Sequence, residues 1–424
     1  MNGGQIEAVP SRCGCAGKTP LERVVRPALA SLRAEHSLTI AGDVEAGLLP
    51  NTAGIERSVA DDDGGAGRFV AAAFVDPERG SDAEAFRGLL ASAYRRWGGR
   101  AGGSTTVIKG HSIQLGPGAK SAVWGERLRP TGERRPGYRV ANVDVIHALS
   151  GIDPVTQAGV ASAHALNDCY TQGAAGDRRL RPIVGVPDAT AVDPDRVRRW
   201  YREAAASDIA VSEPSVVAHG GRGWQFGASV LAVTTRTPPV ETGAIEAGDE
   251  VLLHRPPGAL ALLAGRAGGD GPIDGTTADR AIEALAADHA PVARAIAASS
   301  PPPDGAFDPA RHLKWAGDIS GPGIGGLLGT VESAGCGLSF DALSLFDREG
   351  LDAVRERWIV PDVTVETNGP IAAIGTPSAL DRFERRLSGC PSADPTGVGT
   401  VTDRTGILRW DAETNAERYI ETGQ

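Results

Sequence analysis

Three aspartates, a histidine and a glycine-rich turn are the residues of this chain whose types and spacing best fit a chemical task. Asp144 lies late in the run Tyr138-Arg139-Val140-Ala141-Asn142-Val143-Asp144-Val145. Asp168 lies in His164-Ala165-Leu166-Asn167-Asp168-Cys169-Tyr170. Asp318 precedes the turn Ser320-Gly321-Pro322-Gly323, after which an apolar helix starts at Ile324. Such a turn, with Gly321 and Gly323, exposes backbone N–H groups at a helix start and is a ready anion site. A carboxylate beside it repels a bare phosphate, but the two are compatible when a divalent cation sits between them, since phosphate-bound Mg²⁺ is commonly held by one or two carboxylates. Asp144, Asp168 and Asp318 together can hold Mg²⁺ that neutralises a triphosphate, leaving phosphoryl transfer to positioning and electrostatics. Each alone equally fits a helix cap or a surface acid, and Asp318 as a cap is the plainest alternative. His164 stands one helical turn before Asp168 on the same face, where it either reaches a phosphate or is oriented by that acid.

A second cluster lies near the N-terminus. Cys13-Gly14-Cys15 is followed by Lys18 in a glycine-rich, polar arm. An exposed thiol beside a cation is the setting in which a thiolate reacts. Two incidental thiols are the alternative, and no second Cys/His cluster has zinc-like spacing. Gly17-Lys18-Thr19 is not a phosphate-binding P-loop, because the required glycine five residues earlier is Arg12.

The elements that must position these groups follow from periodicity. Strands are expected over 69–75, 105–115, 137–146, 182–186, 209–217 and 224–234. Helices are expected over 20–35, 82–97, 156–170 and 193–206. Residues 235–248 are rich in Pro, Gly and Glu and read as a linker or long hairpin, placing a domain boundary there. Beyond it, strands are expected at 250–254, before Asp318 and at 371–374, helices over 281–298, 325–334 and 379–387, and a terminal hairpin over 398–410. The helix–strand mix in both halves predicts two α/β (α+β sandwich) domains, 20–236 and 237–424, behind a mobile arm, 1–19. Gly321 to Gly326 spells a dinucleotide-binding pattern, but no surrounding βαβ unit is legible, so a Rossmann fold is not expected.

Composition narrows the function. With 424 residues the chain exceeds one ordinary core. Its 43 basic and 53 acidic residues leave a net charge of −10, which argues against nucleic acid as partner. Lysine occurs only at Lys18, Lys109, Lys120 and Lys314, so any lysine used on phosphate is one of these. No apolar run is long enough to span a bilayer and no secretory leader is legible, so a soluble, cytoplasmic protein without a membrane partner is expected. Five cysteines do not suggest a disulfide framework.

Read in order, these segments resemble a known family. They are Cys-Gly-Cys with a lysine in the arm, the VDV strand end and the helix A-x-A-L-x-D-x-Y-x-x-G. There follow G-D-E-V-L-L-x-x-P-P-G, then G-D-I-S-G-P-G-I-G-G-L-L-G and T-N-G-P-I-A-A-I. The chain is similar here to the selenophosphate synthetases (selenide, water dikinases) of the aminoimidazole ribonucleotide synthetase superfamily, from about Cys13 to about Val401. The resemblance implies a two-domain fold, a homodimer formed through the N-terminal sheets, and ATP bound with Mg²⁺ under the closing arm. It implies that Cys13 handles selenide or a related small chalcogen acceptor, that Lys18 reaches phosphates, and that Asp144, Asp168 and Asp318 hold metal and phosphate.

The sequence departs from the family at the phosphate end. Ala16 and Gly17 separate the cysteines from Lys18. Ala119-Lys120-Ser121-Ala122-Val123 replaces an Asp-Asp-Ala-Ala-Val motif, so a metal aspartate is missing and Lys120 stands beside the gap, able to neutralise phosphate as a point charge. His164 replaces an asparagine, Glu213-Pro214-Ser215 replaces Gly-Gly-His-Ser, and His254-Arg255-Pro256 replaces Thr-Lys-Pro. Three expectations follow: a kinase of selenide, a relative with another sulfur acceptor, or a non-catalytic nucleotide- or chalcogen-binding protein.

Overall fold

The structure is a computed structural model. It describes residues 40–41, 53–57, 68–73, 114–115, 125–128, 137–149, 151–186, 192–218, 224–239, 241–267, 273–303, 305–320, 323–332, 334–340, 343–357, 364–404 and 408–409. Cys13, Lys18, Lys120 and Gly321 lie outside these residues, as do the helices expected over 20–35 and 82–97.

Strands β1 (Ile40–Ala41), β2 (Ala53–Arg57), β3 (Arg68–Ala73) and β4 (Gln114–Leu115) form two ladders, β1 with β4 and β2 with β3. The first large sheet contains β5 (Gly125–Leu128), β6 (Gly137–His147), β7 (Gly176–Val186), β8 (Ala210–Val211), β9 (Ser215–Ala218) and β10 (Gln225–Thr234). Its order is β5-β6-β10-β7-β8, with β9 also on β7. The strand expected over 209–217 is thus two short strands, both parallel to β7, with Pro214 just before the second. Proline cannot donate to a ladder, which accounts for the interruption.

Helix α1 (Pro154–Tyr170) crosses this sheet. Asp153 caps it by accepting from Val155 N at 2.9 Å and Thr156 N at 3.1 Å, and Pro154 occupies its first turn. Small side chains such as Ala158, Ala161 and Ala165 let α1 be buried almost all round. Helix α2 (Pro194–Ala204) packs beside it with Val197 and Tyr201 inward. The Tyr201 hydroxyl donates to Gly227 O at 2.8 Å and accepts from Gly227 N at 3.1 Å, pinning the helix to β10.

The second sheet holds β11 (Glu250–Leu253), β12 (Trp315–Asp318), β13 (Gly337–Ser339), β14 (Ile371–Gly375), β15 (Thr396–Thr402) and β16 (Leu408–Arg409). Its order is β12-β14-β11-β15-β13-β16. The terminal hairpin expected over 398–410 is not formed, because β16 pairs in parallel with β13 rather than with β15. The helices of this half are α3 (Ala259–Ala267), α4 (Gly275–Ala286), α5 (Ala290–Ala298), α6 (Ile324–Glu332), α7 (Arg348–Arg357) and α8 (Pro377–Leu387). The single helix expected over 281–298 is broken: α4 ends at Ala286, and Pro291 sits in the first turn of α5, where its missing N–H costs nothing. Helix α3 was not expected, since its apolar residues carry no amphipathic period.

The 235–248 stretch is no loose tether. Glu241 N donates to Lys314 O at 2.8 Å, and Ala316 N to Pro239 O at 3.3 Å, so it lines the edge of β12. The two halves meet through α1. Arg178, buried beside it, donates to Tyr170 Oη at 2.5 Å, to Asp288 Oδ2 at 2.7 Å and to Asp208 Oδ1 at 2.5 Å. At the C-terminal end of α1, Gly173 comes so close to α5 that a Cβ there would lie 3.0 Å from Ala297 N.

Candidate functional site

Strand β6 and helix α1 build two cross-links side by side. Asn142 Nδ2 donates to Asp168 Oδ2 at 2.7 Å and to Ala165 O at 2.9 Å. Two residues further along the strand, Asp144 Oδ2 lies 3.4 Å from His164 Nε2. The spacing explains the match. Residues i and i+2 of a strand share a face about 6.6 Å apart, and residues i and i+4 of a helix share a face about 6 Å apart along its axis. Running in opposite directions, the strand and the helix therefore meet at both pairs. His164, expected either to reach a phosphate or to be oriented by Asp168, has Asp144 as a carboxylate partner, and Asp168 is held by Asn142.

His164 is 3% exposed and Asp144 14%. Asn368 N donates to His164 Nδ1 at 3.0 Å, so the neutral ring carries its proton on Nε2, aimed at Asp144. Asp144 Oδ1 accepts from Val145 N at 2.9 Å. Both aspartates are half-buried.

Asp318 ends β12, opposite Ile371 of β14. The first N–H of α6, Ile324 N, donates to Thr364 Oγ1 at 3.0 Å. Gly323 closes the preceding turn in the left-handed region, φ +59°, with its N–H on Ser320 O at 2.9 Å. Ser320 and Ile319 are in turn bound to residues 364–370, Glu366 N donating to Ser320 O at 3.1 Å and Ile319 N to Pro370 O at 2.8 Å. The same buried segment reaches α1, through Asn368 N on His164 and through Gly369 O, which accepts from Asn167 Nδ2 at 3.1 Å. Asp144, Asp168 and Asp318 are thus carried on elements joined by one seven-residue stretch, although they are far apart in sequence.

Beneath that stretch lies a polar core. The Glu366 carboxylate accepts from Ala259 N at 2.8 Å and Leu260 N at 3.3 Å, filling the N-terminus of α3. Burial raises its pKa, partly offset by Arg255 and these N–H donors. Arg255 Nη2 donates to Asn368 O at 2.6 Å. His254 and His289 meet edge to face, 4.4 Å between centroids. Burial holds both well below the ordinary histidine pKa, helped by the neighbouring Arg255.

Lys314 is not available for phosphate chemistry, because it is buried with Nζ 2.9 Å from Asp249 Oδ2 and 3.1 Å from Glu246 Oε1. Cys169 and Cys336 are buried and Cys390 half-buried, without disulfides. Asn142, Asn167 and Asn368 are the residues the sequence reading missed. Asn142 was legible as the same-face neighbour of Asp144, but Asn368 had only the bare Thr-Asn-Gly-Pro motif.

Among the described residues no group of three or more His, Cys, Asp and Glu is placed to hold a metal ion by itself, and no helix is long and apolar enough to cross a membrane. No family model matches the sequence, and no curated protein matches it. Solved structures do match. A chain of the HypE–HypF complex aligns at TM-score 0.50 and 15% identity, over 65% of this chain and 88% of its own. The protein tt0281 from Thermus thermophilus aligns at TM-score 0.50 and 14% identity, over 68% and 88%. The fold is aminoimidazole ribonucleotide synthetase-like. The hydrogenase maturation protein HypE in complex with ATP aligns at TM-score 0.49 and 16% identity, over 67% and 83%. The paired rungs between β6 and α1 belong to the first of the two large sheets.

Proposed function

We propose that this chain is an ATP-dependent, Mg²⁺-requiring phosphotransferase whose acceptor is selenide or a related sulfur species. The observation that carries the reading is the pair of rungs between β6 and α1. It sets two half-buried carboxylates, Asp144 and Asp168, about one helical turn apart. Mg²⁺ bound to nucleotide takes one or two carboxylates and completes its shell with phosphate oxygens and water, so two such acids suit it without a preassembled cage. Asp318, beside the glycine turn, supplies a third carboxylate. Lys18 and Lys120 add positive charge on the phosphate side. Bound Mg²⁺ would neutralise the polyphosphate during transfer. Cys13 holds the chalcogen. The identity of the acceptor rests on the resemblance in the cysteine-bearing arm.

A second reading is a non-catalytic nucleotide- or chalcogen-binding relative. It is favoured by Ala119-Lys120, which stands where the resembled family carries Asp-Asp, so that a metal aspartate is missing. ATP turnover by the full chain, with and without selenide or sulfide, separates the two. Acceptor-dependent release of phosphate is expected, with loss of that dependence in Cys13→Ser while ATP binding persists. Binding without turnover under every acceptor supports the second reading.

A further inference from the structure

Asn368 sits where the two halves of the chain meet, and nearly all of its polar atoms are engaged. Its N–H donates to His164 Nδ1 at 3.0 Å. Its carbonyl accepts from Arg255 Nη2 at 2.6 Å. Its side-chain Nδ2 donates to Leu285 O at 2.8 Å and Ala287 O at 3.1 Å, at the end of α4. The backbone is left-handed, φ +52°, a conformation asparagine tolerates better than most residues. Gly369 follows, and a Cβ there would lie 1.6 Å from Ile319 O, so the segment lies hard against the turn after Asp318.

We propose that Asn368 is a positioning residue for the Asp144 carboxylate, acting through the tautomer of His164. This rests on the reading of Asp144 as a ligand of Mg²⁺–ATP. With Nδ1 occupied as an acceptor, the imidazole turns Nε2–H towards Asp144 Oδ2, 3.4 Å away. The opposite tautomer presents a lone pair to the carboxylate and repels it. A ligand carboxylate oriented by such a partner binds metal better than one left free. Residues 364–370 also bind Ile319 and Ser320, so the segment that sets the ring facing Asp144 also touches the turn after Asp318. The device is a feature of this chain, because His164 stands where the resembled family has asparagine.

The test uses the full chain labelled with ¹⁵N-histidine, with the His164 signals identified by their loss in His164→Gln. In the wild type, two-bond ¹⁵N–¹H correlations are expected to show Nε2 protonated and Nδ1 bare. Asn368→Gly keeps the left-handed backbone but removes both amide anchors. It is expected to mix the tautomers and weaken Mn²⁺–ATP binding, read by electron paramagnetic resonance, on the order of 10-fold. A wild-type His164 protonated on Nδ1 overturns the proposal, and this measurement stands even where the variant does not fold. An Asn368→Gly protein with unchanged tautomer or unchanged affinity also overturns it. Absence of ATP binding by a wild type that still shows the Nε2–H ring overturns the phosphotransferase reading instead, and leaves the tautomer lock in place.

Discussion

Asn142 and Asp168 share a 2.7 Å hydrogen bond between a strand and the helix that crosses it. The bond needs only an oxygen at position 168, not a charge. Asp168→Asn retains that oxygen, so its thermal midpoint is expected to stay within a few degrees of the wild type. The lost charge is expected to weaken Mg²⁺–ATP binding by about 10- to 100-fold. Titration calorimetry checks it, and undiminished affinity would remove Asp168 from the site.

Gly227 lies beside Asp144 in the β10–β6 ladder, opposite Val145. A Cβ at this position would come within 2.1 Å of Asp144 O, a backbone atom that cannot swing aside. Both polar backbone atoms of Gly227 are also tied to the Tyr201 hydroxyl. Gly227→Ala is therefore expected to cost about 1–3 kcal/mol through overpacking and to weaken nucleotide binding as β6 shifts. Urea denaturation should show a lower midpoint at unchanged slope. A wild-type midpoint would mean that the two strands separate freely.

The buried imidazoles of His254 and His289 make stability depend on pH. Their folded pKa values lie well below the ordinary 6.5, chiefly through burial. Above the unfolded value both states are neutral and the stability is fully present. Below it the unfolded chain takes up protons that the folded chain refuses. Stability then falls with pH by up to about 1.4 kcal/mol per unit for each histidine. Glu366, with its pKa raised by burial, works in the opposite sense above its own unfolded value. The urea midpoint is expected to drop between pH 7 and pH 5.5. His289→Asn, which keeps a donor for Asn167 Oδ1, should flatten that drop by about half of the two-histidine slope. An equal drop in the variant would clear His289 of the effect.

Much of the scaffold was legible from local pattern. The strands expected over 137–146 and 224–234 fall on β6 and β10, and the helices expected over 156–170 and 193–206 fall on α1 and α2. The glycine-rich turn before α6 was equally plain. Where local pattern failed, the cause is specific. Pro291 breaks the 281–298 helix, but the alanines around it carry the same apolar period through the break. The parallel pairing of β16 with β13 leaves no mark within either strand.

The amino-acid sequence alone determined which acids stand on which elements, because the periods of strand and helix are set by neighbours a few residues apart. Only the tertiary structure decided that Asp144 faces His164, that Asp168 faces Asn142, and that residues 364–370 lie between them and the Asp318 turn. Those partners follow from the direction in which a helix crosses a strand and from packing between distant segments, and no local spacing encodes either.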